Sequence, residues 1–153
     1  MVLKNRRIGI IGAGIAEEDL KELAYKVGYA LGKEGAIILT GGLGGVMEAA
    51  SKGAKEAGAI TVGILPGAKA GEANPYVLIP IVTDMGQARN VILVRSSEVV
   101  VSIGGGFGTL SEIALALKMW KPVIGLKTWK DIPGVYYVDS PEEVLAKVLE
   151  FLS

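Results

Sequence analysis

Three side chains carry most of the chemistry this sequence offers: Arg89, Thr109 and Glu112. In "MGQARNVILVR", Met85, Ile92 and Leu93 stand four before, three after and four after Arg89. At helical spacing these are its surface neighbours, and all are apolar. A guanidinium in such surroundings needs an anionic partner, because an unpaired buried charge costs several kcal/mol. The partner is either a carboxylate of the chain, such as Glu112 or Glu48, or a ligand phosphate or carboxylate; alternatively the stem carries the charge out to water. In "SIGGGFGTLSE", Thr109-Leu110-Ser111-Glu112 has the spacing of a capping box, with the carboxylate also complementing a helix dipole. The same residues would serve a glycine loop that holds a phosphate while Glu112 faces the crevice. Both readings stand on spacing alone.

The inventory narrows the chemistry further. The chain has no cysteine and no histidine. That removes thiolate nucleophiles, disulfides, the usual zinc sites, Ser-His-Asp triads and imidazole bases. No metal site and no cofactor is expected. Sixteen Lys and Arg balance sixteen Asp and Glu, with no basic run, so the broad positive patch of a nucleic-acid binder is not expected. The opening "MVLKNRRIGIIGAG" reads as a strand and a turn rather than a signal peptide. No window approaches the ~18–20 apolar residues of a membrane span. Cytoplasmic location without membrane association is the default expectation.

The elements that must position these residues follow from periodicity. Residues 1–153 suit one domain. Strands are expected at Ile8–Ile11, Ile37–Leu39, Ile60–Leu65, in "YVLIPIV", in "EVVVSI", in "PVIGL" and in "VYYVD". Helices are expected at Glu17–Lys33, Val46–Ala57, Asp84 to Arg95, Phe107–Met119 and Pro141–Leu152. Asp84 with Gln87 fits a capping pair, and Pro80 suggests an edge position or a distortion of its strand. Alternating strands and helices imply an α/β fold. The expectation is a Rossmann-like, doubly wound, mostly parallel sheet with helices on both faces. The ligand then sits beyond the carboxyl ends of the strands.

Glycines cluster after four of those strands: Gly12 and Gly14, Gly41 through Gly45, Gly67, and Gly104 through Gly108. In a parallel sheet all lie at one edge, where helix N-termini supply free amides and partial positive charge. The candidate phosphate and nucleotide contacts are therefore Gly12, Gly14, Gly41, Gly42, Gly44, Gly45, Gly105, Gly106, Gly108 and Thr109. "GAGIAE" has Glu17 where the dinucleotide fingerprint needs a third small residue, and strand two ends without an acid for a ribose diol. No Walker A sequence is present. Glu48 complements a helix dipole, Lys52 and Lys55 read as solvated, and Met47 reads as core. Trp120 and Trp129 suit packing or a subunit interface. The loop from Gly67 to Pro75 reads as mobile and able to cover a ligand.

"GGLGGVMEAASKGA", "MGQARN" and "GGGFGTLSEIALALKMWKPVIGL" together resemble the lysine decarboxylase-like family. That group includes LOG-type cytokinin riboside 5′-monophosphate phosphoribohydrolases and molybdenum-cofactor carrier proteins. The resemblance runs from about Ile8 to Leu126. It implies that Gly105, Gly106, Gly108 and Thr109 hold a 5′-phosphate, with Arg89 and Glu112 as the catalytic pair. The implied reaction cleaves the N-glycosidic bond of a ribonucleoside 5′-monophosphate to free base and ribose 5-phosphate. Glu112 would stabilise an oxocarbenium-like transition state. Two departures from the LOG pattern stand out. Gly104 replaces its proline, and Asn90 replaces the lysine after Arg89. They point to a branch near the cofactor carriers, whose alternative function is binding a phosphorylated pterin or nucleotide without catalysis. Nothing singles out a Schiff-base lysine, so pyridoxal chemistry is not expected.

The helix carrying Val91-Ile92-Leu93-Val94 presents apolar side chains in every direction and needs cover all round. A homodimer or higher homo-oligomer is the expectation, and the family resemblance implies dimers too.

Overall fold

A computed structural model describes residues 1–153. Seven strands alternate with five helices: β1 (Arg7–Gly12), α1 (Glu18–Lys33), β2 (Ile37–Thr40), α2 (Val46–Glu56), β3 (Thr61–Leu65), β4 (Ile79–Val82), α3 (Arg89–Ser96), β5 (Val99–Ile103), α4 (Phe107–Lys118), β6 (Val123–Leu126), β7 (Val135–Val138) and α5 (Pro141–Leu152). The strand order is β4-β3-β2-β1-β5-β6-β7, and every pairing is parallel. From β1 the chain steps outward to β4, returns to the middle at β5, and steps outward the other way. The reversal between β1 and β5 is the switch point at which such sheets open a ligand crevice. The expected doubly wound Rossmann-like fold is present.

Period-two alternation divides the core between two faces. Ile8, Ile10, Val99, Val101 and Ile103 point toward α1, α2 and α5, forming a cluster of 18 buried residues. Ile11, Leu39, Val100 and Ile64 point the other way, toward Leu93 and Val94 of α3 and Ile113 and Ala116 of α4, in a cluster of nine. Each fully buried aliphatic side chain contributes roughly 1.5–3 kcal/mol, so the α1-α2-α5 side holds the larger share of stability. Two glycines there let helices touch backbone to backbone. A Cβ on Gly28 would meet the Ala50 carbonyl, and one on Gly53 would come within 2.9 Å of the Tyr29 amide nitrogen.

Several expectations are corrected. The helix expected from Asp84 begins at Arg89. Asp84 and Gly86 have φ of 53° and 58°, outside helical space. Their amides donate to the Gly67 and Pro66 carbonyls, tying the segment to the end of β3 before a short 3₁₀ turn at Gly86–Ala88. The Asp84–Gln87 capping pair therefore does not form. β4 is an edge strand, as Pro80 suggests, but its exposed residues change the picture of the open apolar surface. Among the apolar residues of α3, Leu93 and Val94 are buried and only Val91 is exposed, at 42%. Ile79, Ile81 and Val82 of β4, with Leu78 just before it, are more exposed as a group. Finally, the loop from Gly67 to Pro75 is fastened at its end. The amide of Asn74 donates to the Gly42 carbonyl at 2.8 Å, and its side-chain Nδ2 to the Leu43 carbonyl at 2.8 Å. This strap buries Asn74 and ties the loop to the β2–α2 turn rather than leaving it a free cover.

Candidate functional site

A crevice of about 320 Å³ opens over the β1–β5 switch point. Ile11 and Gly12 of β1, with Gly14 just after it, form one wall; Gly41 comes from the β2–α2 turn and Met47 from the first turn of α2. Gln87, Arg89 and Asn90 enter from the start of α3, and Gly106, Gly108, Thr109 and Glu112 from the start of α4. Arg89 and Glu112 are its only ionisable lining residues.

The start of α4 shows why Thr109 and Glu112 face inward. The helix begins at Phe107 with Gly106 at its N-cap and no side-chain cap bond. Thr109 is thus the third residue of the helix and Glu112 the sixth. The capping box read from spacing is not made, because the backbone has already turned at Gly105 (φ 114°) and Gly106. A Cβ on Gly105 would collide with the Thr109 side chain. The loop is braced from outside: Trp129 Nε1 donates to the Gly106 carbonyl at 3.0 Å, and the Phe107 and Trp129 rings lie 5.8 Å apart. Trp129 is therefore a support of the glycine loop. Trp120, by contrast, is 93% exposed.

Arg89 is 8% exposed and held on two sides. Its Nε donates to the Ile64 carbonyl at 2.8 Å, and Nη1 donates to Asn90 Oδ1. Nη2 faces bare Gly41, where an added Cβ would lie 2.6 Å away. Glu112 is 7% exposed, and its carboxylate has no salt bridge to Arg89. Burial pushes the Glu112 carboxyl up to about 7, against the pull of Arg89. Burial also lowers the Arg89 guanidinium, with Glu112 acting in the opposite sense. No salt bridge closes between the two, and both residues line the crevice.

Of the ten candidate contacts, Gly12, Gly14, Gly41, Gly106, Gly108 and Thr109 line the crevice with Arg89 and Glu112; Gly42, Gly44, Gly45 and Gly105 do not. Three of the lining glycines differ from the rest. A Cβ on Gly14, Gly106 or Gly108 would touch nothing within 4 Å, and none has positive φ. Neither packing nor backbone conformation demands glycine there, and each leaves bare backbone open to the crevice. The Met47 side chain, read as core, lines the crevice too. Gln87 and Asn90 join the wall without having been candidates. A lone amide has no periodic signature, although Asn90 is conspicuous as a departure from the LOG pattern. No group of three or more His, Cys, Asp or Glu side chains is placed to hold a metal ion, and no helix is long and apolar enough to cross a membrane.

Residues 5–149 match the model of the SLOG cluster4 family. The chain belongs to that family. This SLOG cluster4 protein is 48% identical over 143 residues to an uncharacterised protein of Archaeoglobus fulgidus, covering 94% of each. Among solved structures it is similar to the molybdenum cofactor binding protein of the phototrophic bacterium Rippkaea orientalis. That match has 40% identity and a TM-score of 0.91, and covers 98% of this chain and 99% of that one. It is also similar to the molybdenum cofactor carrier protein of Chlamydomonas reinhardtii, at 39% identity and a TM-score of 0.89, covering 97% and 99%. The seven-strand parallel sheet is shared with these neighbours.

Proposed function

We propose that this SLOG cluster4 protein binds a phosphorylated pterin of the molybdenum-cofactor class and holds it without cleaving it. The observation that carries the reading is the trio Gly14, Gly106 and Gly108: glycines the fold does not require, set around a helix start with Arg89 opposite. First-turn amides of a helix have no partner within it, and together with the helix dipole they suit a phosphate. Gly106, Gly108 and Thr109 would hold the phosphate. Arg89, Asn90, Gln87 and Glu112 would meet the rest of the ligand. The chain has no side-chain cluster for a metal ion, so any metal in the cargo would rely on the cargo's own donors. The similarity to molybdenum cofactor carriers supports the same class of ligand.

A specific observation also favours the phosphoribohydrolase reading: Arg89 and Glu112 share one crevice. Two others weigh against it. Burial raises the Glu112 carboxyl to about 7, which disfavours the anion that would stabilise positive charge in a transition state. Asn90 also stands where the LOG pattern has a cation. Incubation with nucleoside 5′-monophosphates, followed by chromatography, separates the two readings. The expected result is no free base, alongside saturable binding of neopterin monophosphate that weakens as pH rises through 7 and Glu112 ionises beside the anion. Base release by the wild type that disappears in Glu112→Gln would replace the carrier reading with the hydrolase. Self-association belongs to the same proposal, with the exposed β4 edge as its surface.

A further inference from the structure

A buried arginine and a buried glutamate in one crevice would ordinarily close into an ion pair, because each is stranded from water. Here they do not, and the reason lies in the side chain next to the arginine. The guanidinium has five donors and no acceptor, so Asn90 can meet it only through Oδ1, as the bond from Nη1 records. Asn90 is 2% exposed, so its own position is fixed by packing. With Nε taken by the Ile64 carbonyl and Nη1 by Asn90, the guanidinium plane is set from two directions. Gly41 leaves room for Nη2 on the third side.

We infer that Asn90 is a positioning residue: it holds Arg89 away from Glu112 and keeps the two charged groups apart, so that an anionic ligand enters between them. A lysine at this position, as in the LOG pattern, has no acceptor for Nη1 and would repel it. The departure read from the sequence thus has a physical role, to turn a cation pair into a clamped single cation. That a ligand uses the gap rests on the proposed function. The clamp itself does not.

The test reads the clamp without any ligand, by following the Glu112 carboxyl through a ¹³C NMR titration. Arg89 is the only other ionisable side chain lining the crevice, so a change in the Glu112 midpoint at constant burial reads the distance of Arg89. In Asn90→Leu, which keeps the branched shape and removes the acceptor, Arg89 is released toward Glu112. The Glu112 midpoint is expected to fall by at least one pH unit from the wild-type value. In Asn90→Asp, which keeps an acceptor, it is expected not to fall. If Asn90→Leu does not fold, Asn90→Ser withdraws the acceptor by one carbon and is expected to shift the midpoint in the same direction. An unchanged midpoint in the variant lacking the acceptor, or an equal fall with Asp, would overturn the clamp. Neopterin monophosphate is then titrated into the same samples, with at least a tenfold loss of affinity expected when the acceptor is gone. Failure of the wild type to bind this probe would count against the proposed function while leaving the titration to judge Asn90.

Discussion

The two helical layers of this domain spend their sequence differently. On the α1-α2-α5 side, polar groups are few, and small residues serve to bring backbones together, as at Gly28 and Gly53. On the α3-α4 side, Arg89, Asn90, Thr109 and Glu112 are all buried at the sheet's carboxyl edge. Glycines recur on both sides with opposite meanings. Gly28 and Gly53 of the first layer are filled in by their neighbours, whereas Gly106 and Gly108 border open space. One layer secures the fold, and the other carries the buried polar groups of the crevice.

The contrast is broken most forcefully through Glu112. Its carboxyl is raised to about 7 in the folded chain from an ordinary 4.5. Between these values the folded state binds the proton and the unfolded state does not. The contribution of Glu112 to stability therefore falls as pH rises from about 4.5 to 7, and stays low above that. The shift corresponds to up to about 3 kcal/mol. Urea denaturation across this range should show Glu112→Gln gaining stability over wild type as pH rises. A constant difference would mean that Glu112 does not titrate as a buried acid.

Next in size is the other layer. Gly28→Val would drive a branched side chain into the Ala50 backbone, which cannot swing aside. A loss of about 2–3 kcal/mol is expected, read as a lower urea midpoint. Ligand affinity should stay within a few-fold of wild type in the fraction that folds. A large affinity loss with intact stability would dissolve the division between layers.

The smallest effect on stability is the sharpest on the comparison. Gly108 lies inside the first turn of α4, where alanine is the better helix former by about 0.5–1 kcal/mol. Gly108→Ala should raise the melting temperature slightly and cut affinity for neopterin monophosphate at least tenfold. Gly106→Ala should also weaken binding. If both variants bind as wild type does, the bare backbone at the start of α4 is not a ligand surface.

Periodicity made the order of strands and helices readable, because buried parallel strands and amphipathic helices leave strong signals. The switch point followed, since four glycine clusters had to share one edge. What sequence could not supply was conformation at single residues. The left-handed backbone at Asp84 and Gly86 delays α3 by a turn, and Gly106 pre-empts the capping role read for Thr109. Nor does a glycine letter reveal whether its missing Cβ relieves a clash, as at Gly28, or opens a surface, as at Gly108. The Asn90 clamp and the Asn74 strap each depend on one amide meeting a distant or adjacent group, a relation with no period to detect.

The bond from Trp129 to the Gly106 carbonyl gives the protein an optical gauge of its own site. The chain has two tryptophans. Trp120 is bathed in solvent at 93% exposure, and Trp129 is fastened to the glycine loop proposed to hold the phosphate. Red-edge quenching with iodide would silence the first and leave emission dominated by the second. A ligand that stiffens or re-aims the glycine loop would then announce itself in the colour and lifetime of that one fluorophore, with no label attached.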